Sequence, residues 1–335
     1  MNEGWRAFLM EQGAKTVTDE SVCFDGSGKD KSTIPAGFIT PLPGLTLLEI
    51  TGKDAASFLY GQLTSDLNAL ISGGHQLSAW CNAKGRVIAT FYIYRLKDNY
   101  LILLPASLAD KFRQRLQMYI LRSEVSIHQL EGNHVMIGIH GEGLVKGLVP
   151  NSDSASIYDS IYFLPLPEPS TPRLIAAGPA EKIQALWKRL TASVTAVDSD
   201  YWHLLDIEAV IPWLSESTSE RFLPQELNLE QLGGLSYDKG CYPGQEVIAR
   251  VHYRGKVKQQ LLRASVAGDP RPAAGTPLYG EETEQELGTV LHAVPLAAGT
   301  YSLLAVANVD YALNKPVHLQ KRDGPVLEFD ASVSC

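Results

Sequence analysis

The chain is poor in cysteine. Only Cys23, Cys81, Cys241 and Cys335 occur in 335 residues, and no two stand in C-x-x-C spacing. Neither a zinc knuckle nor a thioredoxin-type dithiol is therefore encoded. A chain this long needs no disulfides to hold a core, so free thiols in a reducing compartment are predicted. Long apolar runs are missing as well. Stretches such as 101–104, stopped by Pro105, fall far below the ~20 residues of a membrane span. The first fifteen residues include Glu3 and Glu11 and have no apolar leader core. A soluble, cytoplasmic protein is expected. Positive charge is not in excess: 29 Lys+Arg stand against 37 Asp+Glu, a net charge of −8. That disfavours a general nucleic-acid coat but leaves room for a local basic site. Walker, G-x-G-x-x-G, H-E-x-x-H and G-x-S-x-G patterns are all absent, as are internal repeats and low-complexity runs.

What is present is an ordinary globular composition, 45% hydrophobic and 20% charged, enough for a sizeable core and two or three domains. Residues 1–13 read as a short amphipathic helix with Trp5, Phe8 and Leu9 on one face. A loose Gly/Ser/Asp segment, 25–32, follows. The spacing then predicts a strand at 45–50 and a helix from a Thr51 cap to about Gln62. A second short helix over 66–71 would be capped by Thr64 or Ser65 and ended by Gly73-Gly74. Alternating runs at 76–82 and 86–96 flank the turn Asn82-Ala83-Lys84-Gly85, a hairpin pattern, and a strand at 100–104 and a helix at 109–121 complete the block. Residues 134–197 read strand, helix, strand, strand, helix, strand, the ferredoxin-like order, with a Pro-rich hairpin connection at 165–172. A helix at 201–210 leads into a long irregular stretch, 212–234, of the kind that carries function. The last block, 258–335, alternates between Gly/Pro turns and reads as a small antiparallel barrel or sandwich.

The most unusual segment is Tyr237-Asp238-Lys239-Gly240-Cys241-Tyr242-Pro243-Gly244-Gln245-Glu246. Pro243 suits a helix start, and 245–253 can continue as helix until Gly255 stops it. Cys241 would then precede a helix N-terminus with Lys239 two residues away, and both features favour a thiolate. A packed cysteine in a tight turn satisfies the same residues, and spacing alone does not separate the two. In the following helix Glu246, Arg250 and Arg254 share a face. Arg250, His252, Arg254, Lys256 and Lys258 fall within nine residues that contain no acid. This is either a solvated face or an anion site for carboxylate, phosphate or RNA. Upstream, Trp202 offers a stacking surface and Glu208 a carboxylate able to pair with a planar amidine-like edge. Core packing and a solvated face are their ordinary alternatives. Gln62, Thr64 and Asp66 suit a helix junction, and Asn82 and Lys84 a turn.

The segment 237–246 resembles the K-G-C-[FY]-x-G-Q-E motif of the YgfZ folate-binding proteins. The likeness runs on through Val247-Ile248-Ala249-Arg250 and Tyr253-Arg254-Gly255, and it is shared by 61–66, 82–85, Ile207-Glu208-Ala209, 222–229 and 232–234. The resemblance implies an α+β fold related to the T protein of the glycine cleavage system. That fold is a three-part ring of folate-binding unit, ferredoxin-like unit and C-terminal antiparallel β-barrel around a channel for tetrahydrofolate. Laid on this chain, the units would be an N-terminal helix and loose segment at 1–37, the folate-binding unit at 38–132 and 198–257, the ferredoxin-like unit at 133–197 and the barrel at 258–335. The resemblance also implies support of iron–sulfur cluster assembly or repair in tRNA-modifying enzymes. Cys241 and Lys239 would carry the chemistry, with transient cluster contact. Tetrahydrofolate or a derivative would meet Trp202, Glu208, Gln62, Thr64, Asp66, Asn82, Lys84, Tyr242, Gln245, Glu246, Arg250 and Arg254. Partners would be the modifying enzymes and, through Arg250, Arg254, Lys256 and Lys258, tRNA. No metal site, no membrane and a monomer are expected. Where the T protein has G-G-I-x-D-D, this chain has Gly85-Arg86-Val87-Ile88-Ala89-Thr90. Both aspartates are gone, which argues against glycine-cleavage aminomethyl transfer and leaves other folate-dependent one-carbon transfer as the enzymatic alternative.

Overall fold

The computed structural model describes the chain except residues 1, 25–29, 131–132, 150, 168–170, 284 and 331–335. Part of the predicted loose segment, and Cys335, lie outside the described residues.

The first sheet has five antiparallel strands in the order His75–Cys81, Val87–Leu96, Asn99–Pro105, Leu45–Thr51, Ser126–Gln129. Val87–Leu96 is almost wholly buried, as its β-branched and aromatic run demands. The helix Ala106–Gln117 lies against this sheet through Leu108, Ala109, Phe112 and Leu116. Two predicted caps are corrected. Thr51 is the last residue of its strand, and the following helix is the shorter Ala55–Tyr60. The second helix is one 3₁₀ turn, Leu67–Ala69, capped by Asp66, whose carboxylate accepts from the Asn68 amide at 2.9 Å. Thr64 and Ser65 are buried and committed elsewhere.

The second sheet has six strands, in the order Ser156–Tyr158, Ile161–Leu166, Arg173–Pro179, His134–His140, Phe38–Pro41, Thr195–Ala196. Its helices are Glu142–Leu148 and Ala180–Leu190. The ferredoxin-like order is present with two departures. Residues 157–164 are not one strand: Asp159 and Ser160, both at positive φ, turn the chain into a hairpin. Phe38–Pro41, placed by the sequence reading in the first unit, is hydrogen-bonded to His134–His140 and Thr195–Ala196 instead. The N-terminal helix, Glu3–Glu11, also belongs here, because Trp5 and Phe8 meet Trp187 edge-on at 6.0 and 6.4 Å.

The third unit is a closed six-stranded antiparallel barrel from Gln259–Ala267 to Val326–Phe329, interrupted by one short helix, Val309–Ala312. Closure removes the unpaired edges that an open sheet of short strands would expose. The helix Ser199–Glu208 runs between units, packing on Phe38–Pro41 and on the barrel strands Glu286–Ala297 and Thr300–Asn308.

Candidate functional site

The helix Gln245–Arg254 begins after Gly244, whose φ is +80°. Cys241 sits in the loop just ahead of it and is exposed. The loop is fastened to the segment 60–65. The Gly240 amide donates to the Tyr60 hydroxyl at 2.7 Å. The Lys239 ammonium donates to the carbonyls of Tyr60, Leu63 and Ser65 at 2.6, 2.7 and 3.0 Å. Burial lowers the Lys239 pKa to about 8, against a small opposing pull from Asp66. Lys239, expected from the sequence to favour the Cys241 thiolate, points into the fold and gives its ammonium to three backbone carbonyls.

Several other expected contacts turn out to build this loop. The Thr64 hydroxyl is buried; it donates to the Gly234 carbonyl at 2.6 Å and accepts from the Ala79 amide at 2.9 Å. Gln62 accepts from the Trp80 indole at 3.3 Å. Asn82 receives the Lys84 and Arg86 amides at 2.9 and 3.0 Å and donates to Glu220 at 2.8 Å. It is therefore a turn-former. The Tyr242 ring is buried, and burial pushes its phenol pKa up. Gln245 reaches back to the Lys239 carbonyl at 3.5 Å. Thr64 and Tyr242 are too buried to offer a ligand much surface, so as direct cofactor contacts these two expectations fail.

On the outer face of the helix, Glu246, Arg250 and Arg254 are exposed, and none of the three is ion-paired among the described residues. Tyr253 beside them is 69% exposed. Lys256 faces Asp310 at 3.6 Å, both well exposed, and Lys258 is exposed. His252 stacks on Tyr237 at 3.9 Å and approaches Glu230 at 3.4 Å.

Trp202 is fully buried. The Arg173 guanidinium lies 5.0 Å from its ring centre. On Gly138 a Cβ would fall 2.3 Å from the indole. No ring surface is left for a pterin, so the expected stacking role is corrected to core packing. Glu208, at the end of the same helix, is exposed.

The sequence reading missed the buried polar centre beside Trp202. Arg173 and Asp206 pair at 2.8 Å with almost no exposure. The Trp213 indole donates to the other Asp206 oxygen at 3.1 Å. Burial opposes ionisation of Asp206, yet Arg173 and His203 hold it below the usual carboxylate range. His203 meets His292 edge-on at 5.0 Å, and one ring nitrogen of each is buried with no hydrogen-bond partner among the described residues. One signal was available: an arginine opening the otherwise apolar strand 173–177, which can be buried only with a partner. Among the described residues no group of His, Cys, Asp and Glu could hold a metal ion, and no helix is long and apolar enough to cross a membrane.

Residues 42–153 match the GCVT N-terminal domain family. The tRNA-modifying protein YgfZ of Edwardsiella ictaluri is 33% identical over 274 residues, 78% of this chain and 82% of that protein. That of Yersinia enterocolitica is 30% identical over 300 residues, 86% and 89% respectively. The chain belongs to the YgfZ family. Its fold is that of the glycine cleavage T protein: the aminomethyltransferase T of Bartonella henselae superposes with a TM-score of 0.79 over 98% of this chain and 96% of that one, at 16% identity. A likeness at that identity speaks for architecture alone. Lys239, Gly240 and Cys241 lie in the loop that precedes the helix Gln245–Arg254 and is tied to Tyr60.

Proposed function

We propose that this YgfZ-family chain is a cytoplasmic, folate-binding accessory protein that supports assembly or repair of iron–sulfur clusters in tRNA-modifying enzymes, with Cys241 as its reactive thiol. The observation that carries the reading is exposure. Cys241 is presented to solvent on an anchored loop, whereas Cys81 is buried and Cys23 half-buried. Only the thiolate ligates iron or attacks an electrophile, so access is the first requirement.

The residues fit tetrahydrofolate in part. Glu208 offers an open carboxylate for a planar amidine edge. Trp202 does not fit, being sealed. When bound, the folate would supply one-carbon chemistry. On this chain Glu208 would hold and orient it, with the exposed Lys84, Glu246, Arg250 and Arg254 as the remaining open contacts. Ala89 and Thr90, where the T protein has aspartates, provide no carboxylate for aminomethyl transfer.

A second contact, with tRNA, is favoured by a separate observation. Arg250, Arg254 and Tyr253 present two unpaired guanidinium groups and an open ring on one helix end. Binding through them would fall steeply between two salt concentrations in a gel shift.

The test of the main reading is mass spectrometry of tRNA from a deletion strain complemented with wild type or Cys241→Ala. Wild type restores thiolated nucleosides and Cys241→Ala does not. Full restoration by Cys241→Ala removes the thiol from the function.

A further inference from the structure

Lys239 carries a buried ammonium that no carboxylate pairs among the described residues; it is 8% exposed. Three carbonyl oxygens, of Tyr60, Leu63 and Ser65, take its three hydrogens. The rings of Tyr60 and Tyr242 lie with their centres 4.4 and 5.3 Å from the nitrogen. Carbonyl dipoles and aromatic faces without an anion make a cation cage. Tyr60 serves both halves of the loop. Its carbonyl and ring hold the ammonium, while its hydroxyl accepts the Gly240 amide, the one immediately before Cys241. Gly240 has little room to move, since a Cβ there would lie 3.0 Å from the Tyr60 ring.

We propose that Lys239 is the positioning residue of Cys241: its ammonium fills a built cation cage that pins the loop to residues 60–65, and the thiol is presented only while a cation occupies that cage. A neutral side chain of the same length fills the space but leaves three buried carbonyls without donors. A small primary ammonium ion restores those donors; a quaternary one has no N–H to give. The proposal deepens the reading of Cys241 as the reactive thiol and rests on it for its consequence. Its readout is the loop itself, so the two fail separately.

The experiment uses full-length wild type, Lys239→Met and Lys239→Ala, the last with methylammonium or tetramethylammonium chloride at equal ionic strength. Hydrogen exchange is read at the peptide containing Gly240, with the barrel strand Gln259–Ala267 as control of folding, together with the alkylation rate of Cys241 by iodoacetamide. In Lys239→Met the Gly240 peptide exchanges about tenfold faster or more, the barrel is unchanged and the alkylation rate departs from wild type. Lys239→Ala behaves likewise and returns towards wild type with methylammonium but not with tetramethylammonium. Wild-type exchange and alkylation in Lys239→Met would show an apolar spacer and overturn the proposal, as would failure of methylammonium to restore Lys239→Ala. Should both variants misfold, wild type decides alone. A protected Lys239 ammonium resonance in nitrogen-15 spectra is required, and its absence overturns the cage.

Discussion

Gly244 and Gly85 meet backbone to backbone. A Cβ on Gly244 would lie 2.5 Å from the Gly85 Cα and 2.5 Å from the Asn82 carbonyl oxygen. Both residues take positive φ, +80° and +74°, where a side chain is strained. The cysteine motif and the asparagine turn, far apart in the chain with the whole second unit between them, are thus seated on one another. Gly244→Ala meets both the left-handed strain and the backbone of the turn. The expected loss is about 1–3 kcal/mol from the conformation alone, with faster exchange around Gly240. Unchanged urea unfolding of Gly244→Ala would contradict this contact.

Trp202 and Glu208 sit on one helix and separate stability from binding. Trp202→Ala empties a sealed core position beside Gly138 and Arg173, and about 3–5 kcal/mol is expected to be lost. Glu208→Gln is a surface change, and its stability should stay within about 0.5 kcal/mol of wild type. Its affinity for tetrahydrofolate should fall, because an amide cannot make the charge-assisted pair. Calorimetric titration reads the affinity. Equal affinity in Glu208→Gln would remove that carboxylate from the pterin edge.

Acid should destabilise the fold through its buried histidines. Burial, together with the neighbouring His203 and Arg271, lowers His292 to about 3. Burial and Arg173 lower His140 to about 4. Unfolded, both titrate near about 6.5. Below that value the unfolded chain takes up protons that the folded chain refuses. Stability is therefore full above pH ~6.5 and declines as pH falls towards the folded values. Asp206, held low by Arg173, loses its contribution in the same direction as pH falls further. The urea midpoint should drop between pH 7 and 5, and His292→Phe should flatten part of that slope. Equal midpoints at pH 7 and 5 would count against neutral buried histidines.

The alternating runs at 76–82 and 86–96, the helical spacing near 109–121 and the barrel's Gly/Pro punctuation were readable because each is local. Burial of one face imposes period 2 or 3.6 on neighbouring residues. Capping was read less well. Thr51 and Thr64 have the chemistry of caps, but pairing with Ser126 and the Gly234 carbonyl claim them first. The hairpin at Asp159–Ser160 escaped because neither residue is glycine, although both have positive φ.

The sequence by itself determined the family, through a ten-residue motif too long to arise by chance spacing, and the three-unit order along the chain. It also singled out Cys241, since glycines and a proline leave that sulfur uncovered. The tertiary structure alone decided where the charges point. Lys239 lies two residues from Cys241 yet turns to carbonyls 174 to 179 positions away. Arg173 finds Asp206 across two units, and the same packing seals Trp202. A buried charge goes to whatever oxygen atoms the fold brings within about 3 Å, and which oxygens those are is a property of packing between distant segments, not of neighbours in the chain.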